Sequence, residues 1–184
     1  MKEIAASDIL QFWFEEIEHS RWFKQDDDFD NLLRERFGGL LEAAKRDELD
    51  NWCQSATGYL GLIMVLDQFS RNIHRGTAEA FAADEKALGL ALEMTEKGLD
   101  EELTLEQRSF AYLPFRHAEN IEMQMLGLKK TRELNAAGYG TDKYAVGHLS
   151  IIERFGRFPH RNAALGRDNT SDEETYLAGD ALGF

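Results

Sequence analysis

The sequence predicts an all-α protein of about eight helices arranged as antiparallel hairpins. Three observations support this fold class. Apolar residues recur at steps of three and four along most of the chain, and only 2 of the 184 residues are proline. No alternation of apolar and polar residues is long enough to indicate a β-strand. Residues 1–184 contain no Pro- or Ser-rich linker, so we expect a single domain.

The first two helices are predicted from an apolar stripe and an acidic run. The stripe covers residues 9–17, and Ser7 and Asp8 are the candidate N-caps. The second helix begins within the acidic run 26–30, because the helix dipole favours negative charge at its N-terminus. The glycine pair 38–39 costs about 1 kcal/mol per residue relative to alanine. We therefore expect close packing or a break at this pair.

The third and fourth helices are predicted from hydrophobicity and from a typical helix ending. Residues 56–72 are apolar nearly all round in their middle, which indicates a helix that is buried on most sides. The fourth helix has an apolar face over residues 88–95 and ends at Lys97-Gly98. A cation in the last turn followed by glycine is a common helix ending.

The C-terminal half is predicted to contain four more helices. The fifth opens with a capping box over 104–107, and Pro114 should kink or end it. The sixth and seventh cover approximately 121–136 and 143–155, and each is followed by a glycine. A second capping box, 171–174, opens a short last helix. These hairpins in series suggest solenoid-like stacking, although no fixed repeat length is visible.

Composition excludes several classes of protein. The net charge of −13 disfavours nucleic acid and anionic membranes as partners, because both are polyanionic. The longest apolar run, 59–66, is too short for a membrane span, and the first residues do not resemble a secretory signal. The lone Cys53 excludes a disulfide framework and any multi-cysteine metal site. We expect a soluble cytoplasmic protein.

Two segments depart from the general acidity. Residues 67–76 end the buried third helix, and residues 148–167 contain four Arg and one Glu, a net charge of +3. One interpretation is structural, since guanidinium groups pair well with carboxylates and could hold the C-terminal segment in place. The other interpretation is a site for a small anionic ligand, such as a phosphate, a nucleotide or a carboxylate.

The anion-site interpretation assigns a role to each unusual residue. The candidate acid–base or orienting groups are Asp67, His117, His148 and His160. The candidate ligand contacts are Arg71, Arg75, Arg154, Arg157, Arg161 and Asn162. Catalysis at such a site would be hydrolysis or another proton transfer. Whether the protein is an enzyme stays open. His148 faces the apolar side of its helix, where a lone histidine is more often a core residue than a ligand.

The sequence predicts neither a metal ion nor a cofactor. None of the five histidines has another histidine three or four residues away, and no Glu-x-x-His occurs. There is also no phosphate-binding loop, no Gly-x-Gly-x-x-Gly and no Gly-x-Ser-x-Gly. A nucleotide-binding fold and a serine-nucleophile hydrolase therefore have no support.

Several motifs resemble a bacterial family known as a domain of unknown function, DUF924. They are FWF at 12–14, RWF at 21–23, LDQFSRNIHRG at 66–76, AFAAD at 80–84, LPFRHAE at 113–119 and HLSIIERFGRFPHRN at 148–162. The resemblance implies a fold similar to tetratricopeptide-like helical repeats, and it implies no known activity.

A tetratricopeptide-like fold offers a second functional hypothesis. Such a protein could bind a peptide or protein segment in a concave groove without catalysing a reaction. A third hypothesis is that all the charges of the basic segments are paired internally. The oligomeric state is not predicted.

Overall fold

The computed structural model describes residues 4–179, and every regular element in that range is helical. This confirms the predicted all-α fold class, whereas tetratricopeptide-like stacking stays a prediction. The α-helices are α1 (Ala6–Gln11), α2 (Asp27–Lys45), α3 (Ala56–Met64), α4 (Ser70–Ile73), α5 (Asp84–Glu96), α6 (Leu105–Ala111), α7 (Leu113–His117), α8 (Ile121–Ala136), α9 (Lys143–Phe155), α10 (Asn162–Leu165) and α11 (Ser171–Ala178).

Helical turns of other types extend or connect these helices. A π-helical turn continues α1, and a second one joins α3 to α4; they are Phe12–Glu16 and Val65–Phe69. Short 3₁₀ turns connect other elements; they are His19–Arg21, Asp50–Trp52, Ala78–Phe81, Leu99–Glu102 and Pro159–Arg161. The predicted third helix is therefore one continuous helical path in which a π turn separates α3 from α4.

Most predicted helix ends agree with the structure. Asp26 caps α2 by accepting a hydrogen bond of 3.0 Å from the backbone N–H of Phe29. Thr104 and Gln107 form the predicted capping box of α6. Helix α6 ends at Ala111, and Pro114 lies in the first turn of α7, so the fifth predicted helix is broken at Tyr112, just before this proline.

Two predicted N-caps are wrong. Helix α1 begins at Ala6, and Asp8 accepts a hydrogen bond of 2.8 Å from the Ala5 N–H, so neither Ser7 nor Asp8 is the N-cap. The last helix has its capping box one residue earlier than predicted, between Thr170 and Glu173. The Glu173 carboxylate reaches back to the Thr170 N–H at 2.7 Å, which fixes the helix start.

The expected interruption at the α2 glycines is also wrong. Helix α2 continues through Gly38 and Gly39 without a break. A methyl group added at Gly38 would meet only the Arg34 side chain, at 4.0 Å, and one added at Gly39 would meet nothing within 4 Å. The pair is not required for close packing, because it lies on a face of α2 that no neighbouring helix covers.

Helix α3 forms the centre of the main hydrophobic core. Eight of its nine residues are buried, which confirms the prediction that this helix is enclosed on most sides. It packs against α1, α5 and α6. Its crossing with α1 is close, because a methyl group at Gly61 would lie 2.8 Å from the Cβ of Ala6.

The C-terminal segment forms a smaller core of its own. Ile151 and Ile152 of α9 pack with Phe158, and Phe155 and Tyr176 pack against them. Helix α9 also contacts α7 and α8. As a result, the segment that follows α9 lies beside α7, and its Arg161 reaches the backbone carbonyl of His117 at 2.9 Å.

Among the described residues, no helix is long and apolar enough to cross a bilayer. The cytoplasmic location stays a prediction.

Candidate functional site

The central residue of the candidate site is Asp67, which lies in the π turn between α3 and α4. Its side chain is only 1 % exposed. A π turn inserts an extra residue into a helix and is often found at functional sites. The apolar sequence around Asp67 buries this turn, so its carboxylate requires strong polar partners.

Three side chains meet the Asp67 carboxylate. The Nδ1 atom of His117 lies 2.6 Å from Asp67 Oδ1, and Nη1 of Arg71 lies 2.9 Å from the same oxygen. The side-chain amide of Gln68 donates a hydrogen bond to Oδ2. Three positions that the sequence proposes for one site, Asp67, Arg71 and His117, therefore meet at one carboxylate, although His117 comes from α7 and the other two lie one turn apart on the path from α3 to α4.

A chain of alternating charges continues from this centre. Arg71 contacts a second carboxylate, that of Asp84 at the start of α5, at distances of 2.8 and 2.9 Å. Arg161 contacts Asp84 Oδ2 through its Nη1 atom at 3.2 Å. Asp84 is not among the site residues predicted from the sequence, although the AFAAD motif at 80–84 ends on it.

Arg161 is held by two aromatic rings and by a hydrogen bond. Its guanidinium carbon lies 4.6 Å from the ring centres of both Phe81 and Phe158, so the group packs on two aromatic rings. Its Nη2 donates a 2.9 Å hydrogen bond to the backbone carbonyl of His117. Burial and the nearby charge of Arg71 lower the pKa of Arg161 to about 10, so the group stays cationic at neutral pH.

The electrostatics of the pair favour an ionised Asp67 and a neutral His117. Burial alone would raise the pKa of Asp67, but Arg71 and His117 outweigh burial and hold that pKa well below its usual range. Burial and the Arg71 charge lower the pKa of His117 despite the adjacent carboxylate. A neutral His117 donates its Nδ1 proton to Asp67, which leaves the lone pair on Nε2.

His117 is accessible enough to act on a ligand. Its side chain is 16 % exposed, and among the described residues the only side-chain hydrogen bond of His117 is the one to Asp67. The arrangement corresponds to a histidine oriented by a buried carboxylate, which is a common design for a general base.

Two further predicted histidines lie near His117. The rings of His117 and His148 are 6.4 Å apart, and Nδ1 of His148 lies 2.7 Å from the backbone carbonyl of Tyr144. The His160 ring is 5.5 Å from that of Phe158. Burial lowers the pKa of His148 to about 3, and burial together with Arg161 lowers that of His160 to about 4. Both rings are therefore neutral at pH 7.

Four of the predicted ligand contacts do not point towards Asp67. Arg75 pairs with Asp30 of α2 at 2.6 Å. Arg157 binds the carboxylate of Glu173 with two hydrogen bonds, of 2.7 and 2.8 Å. Arg154 stacks on the ring of Phe155, and Asn162 donates to Asn169. The internal-pairing interpretation therefore describes Arg75 and Arg157 better than the anion-site interpretation does.

Another ion pair, between Arg167 and Glu119, also holds the C-terminal segment. The guanidinium of Arg167 makes two hydrogen bonds to the Glu119 carboxylate, of 2.6 and 2.9 Å. It also donates to Asn162 Oδ1 at 2.8 Å. Glu119 accepts the backbone N–H of Phe158 at 2.7 Å. This cluster is structural, and it holds the chain that carries His160 and Arg161 against α7.

The described residues 4–179 contain no group of three or more His, Cys, Asp or Glu side chains that is arranged to hold a metal ion. They do contain an open groove between α8 and α9, of about 540 Å³, which is lined in part by Met125, Leu128 and Leu149. Nothing in the structure shows what occupies this groove, and the peptide-binding hypothesis stays a prediction.

Comparison with known proteins identifies the family. The sequence profile of DUF924, described as a bacterial protein of unknown function, matches residues 9–180. The chain belongs to this family. The motifs quoted above therefore reflect true DUF924 membership, and the all-α architecture of the chain can be compared with a solved structure.

That solved structure is a protein of unknown function from Agrobacterium tumefaciens, ATU0120. The two chains are 42 % identical, with a TM-score of 0.86, and the similarity covers 94 % of this chain and 96 % of that chain. No functionally curated protein matches this sequence. In this DUF924 protein, the residues proposed for one site that do meet are those around Asp67.

Proposed function

We propose that this protein binds a small anionic molecule at the Asp67 site and acts on it by acid–base chemistry, with His117 as the proton-transfer group. The observation that carries the proposal is the 2.6 Å contact between His117 Nδ1 and the buried Asp67 carboxylate. It orients the ring and places the reactive lone pair on Nε2. Asp67 is a positioning residue, because it acts through His117.

The surrounding cations support an anionic ligand. Arg71 and Arg161 are both rigidly held, and Arg116 lies directly before His117 in the chain. Because the site lies among buried side chains, the attraction between these cations and an anion is stronger than it would be in bulk water. The overall charge of −13 does not prevent this, since a local positive field can steer an anion.

The reaction that fits these groups best is hydrolysis. Nε2 of neutral His117 would take a proton from a water molecule while the water oxygen bonds to the electrophilic carbon or phosphorus of the ligand. The bond to the leaving oxygen then breaks, and the imidazolium returns the proton to that oxygen. Asp67 would stabilise the transient imidazolium, because its carboxylate stays ionised at neutral pH.

A substitution at His117 tests the catalytic role without removing the Asp67 partner. The amide of His117→Asn can take the place of Nδ1 and still donate to Asp67, but it cannot accept a proton. The assay measures turnover of carboxylate-bearing and phosphate-bearing esters by the wild type and the variant. We expect His117→Asn to lose on the order of 10²–10⁴-fold in turnover.

Arg154→Ala is the matched control, because Arg154 stacks on Phe155 away from the Asp67 site. We expect this variant to keep the wild-type turnover. A thermal-shift screen of carboxylated and phosphorylated metabolites, on wild type and Arg161→Gln, identifies the ligand independently. The proposal is overturned if no metabolite stabilises the wild type, or if His117→Asn retains turnover.

A further inference from the structure

Arg116 differs from the other arginines around the site. Arg71, Arg157, Arg161 and Arg167 each contact at least one carboxylate. The side chain of Arg116 is partly buried, and among the described residues it makes neither an ion pair nor a hydrogen bond. Its Nε atom is fully enclosed and has no acceptor.

The stem of Arg116 is nevertheless held firmly. Helix α8 approaches α7 so closely at Gly127 that an added methyl group would lie 3.1 Å from the Cγ atom of Arg116. The backbone carbonyl of Arg116 accepts a 2.7 Å hydrogen bond from the Gln124 side chain. The protein therefore fixes the position of a guanidinium group without supplying a counter-ion.

An enclosed guanidinium without a counter-ion is costly, because the desolvation of a buried charge is then not offset by an opposite charge. Burial lowers the pKa of Arg116, while the charge of Asp67 opposes that effect from a distance. The charge of Arg116 in turn contributes to the lowered pKa of His148. Arg116 therefore lies within the electrostatic reach of both Asp67 and His148.

The charges of the site define what is missing. Three cations, Arg71, Arg116 and Arg161, face two carboxylates, Asp67 and Asp84. The neighbouring Arg167 and Glu119 neutralise each other. With the histidines neutral, the site carries one uncompensated positive charge. A single negative charge on a ligand would balance it and leave His117 free to act as a base.

We propose that Arg116 binds the ligand directly and that the ligand presents a carboxylate to it. The two Nη atoms of a guanidinium form a fork that matches the two oxygens of a carboxylate. A phosphate dianion would bring one charge too many, so that a histidine would have to be protonated on binding. This inference rests on the proposed function for its location, and it adds the chemical class of the substrate.

Nuclear magnetic resonance of the full chain tests the inference without any assay of turnover. The probes are acetate and inorganic phosphate, titrated at pH 7 while the arginine Nε–H and histidine ring nitrogen signals are recorded. We expect acetate to shift the Arg116 Nε–H signal saturably, with no change in the protonation of the histidines. Arg116→Lys keeps the charge but loses the fork, so it should weaken acetate binding at least tenfold.

The control variant is Arg154→Lys, which makes the same chemical change away from the site and should bind acetate like the wild type. The inference is overturned if acetate leaves the Arg116 signal unmoved, or if Arg116→Lys binds acetate as well as the wild type. It is also overturned if phosphate binds more tightly and protonates a histidine.

Failure of the proposed function gives a different result. If the wild type binds acetate at Arg116 but hydrolyses none of the esters, or if His117→Asn hydrolyses them as fast as the wild type, the catalytic role of His117 is refuted while the carboxylate contact stands.

Discussion

The arginines of the basic segment 148–167 differ in the groups that each guanidinium contacts. Arg157 contacts Glu173 and Arg167 contacts Glu119, and each pair forms two parallel hydrogen bonds. Arg161 shares the carboxylate of Asp84 with Arg71, and it is stabilised mainly by two aromatic rings. The same residue type therefore pairs with a carboxylate through two hydrogen bonds at two positions and packs mainly on aromatic rings at a third.

The structural role of Arg167 leads to a prediction about stability. Arg167→Ala removes four hydrogen bonds, to Glu119, Phe158 and Asn162, and leaves the Glu119 carboxylate without its counter-ion. We expect the free energy of unfolding to fall by roughly 1.5–3 kcal/mol, the usual cost of losing hydrogen bonds to a charged group. Urea-induced unfolding measures the change. Arg154→Ala should change stability by less than about 0.5 kcal/mol, and equal losses in the two variants would contradict the prediction.

The sequence could bring together Asp67, Arg71 and His117, but it could not place Arg75. Residues 71 and 75 are four apart and would share a face on a continuing helix. Helix α4 ends at Ile73, however, so Arg75 lies beyond the helix and turns towards Asp30 of α2. Arg116 could not be predicted for a related reason, because the absence of a counter-ion is apparent only when the positions of all neighbouring side chains are known.

At the scale of elements, regular periodicity was sufficient to predict where most helices lie. The bounds of α8 and α9 match the apolar pattern, and glycines with left-handed backbone follow both. The two π turns could not be predicted, because a single inserted residue changes the apolar pattern very little. One of these turns contains Asp67. The π turn that positions the central carboxylate therefore could not be predicted from the sequence.

The glycine pair of α2 provides a prediction at this scale. Gly39 is helical and exposed, and nothing lies within 4 Å of where a methyl group would be. Gly39→Ala should therefore raise the free energy of unfolding by about 0.5–1 kcal/mol, because alanine loses less backbone entropy on folding. Thermal or urea unfolding measures the gain.

A matched glycine in another helix gives the opposite result. At Gly58 in α3, an added methyl group would lie 1.8 Å from the backbone oxygen of Trp52. Gly58→Ala should destabilise the protein, since that contact cannot be relieved by rotating a side chain. If Gly39→Ala were also destabilising, α2 would have to be in close contact with another element at that point.

At the scale of the whole molecule, the net charge of −13 gives no indication that most of the histidines are at least partly buried. Burial lowers the pKa of four of the five histidines; they are His74, His117, His148 and His160. The exposed His19 stacks on Trp22 at the surface. In the unfolded chain each histidine titrates near its ordinary pKa of about 6.5. The folded protein therefore binds fewer protons than the unfolded chain at mildly acidic pH.

This difference predicts how stability depends on pH. As the pH falls from 7 to 5, the unfolded chain takes up protons that the folded protein excludes, so the free energy of unfolding must decrease. Each excluded proton contributes up to roughly 1.4 kcal/mol per pH unit. Carboxylates whose pKa is lowered by folding, such as Asp67 and Glu119, lose their contribution only below about pH 4.5. The range from pH 5 to 7 therefore isolates the histidines.

Urea-induced unfolding at pH 5, 6 and 7 measures the slope of the free energy of unfolding against pH. Two glutamine variants show which histidine contributes to this slope. His148→Gln removes a histidine whose pKa is about 3 in the folded protein, so the slope should decrease by nearly one proton. The matched comparison is His19→Gln, which makes the same change at an exposed histidine. If both variants keep the wild-type slope, His148 is protonated in the folded protein at pH 5, and the ring is more accessible to water than its packing against Phe158 implies. The neutral state of the histidines around Arg116, on which the carboxylate argument depends, would then be wrong as well.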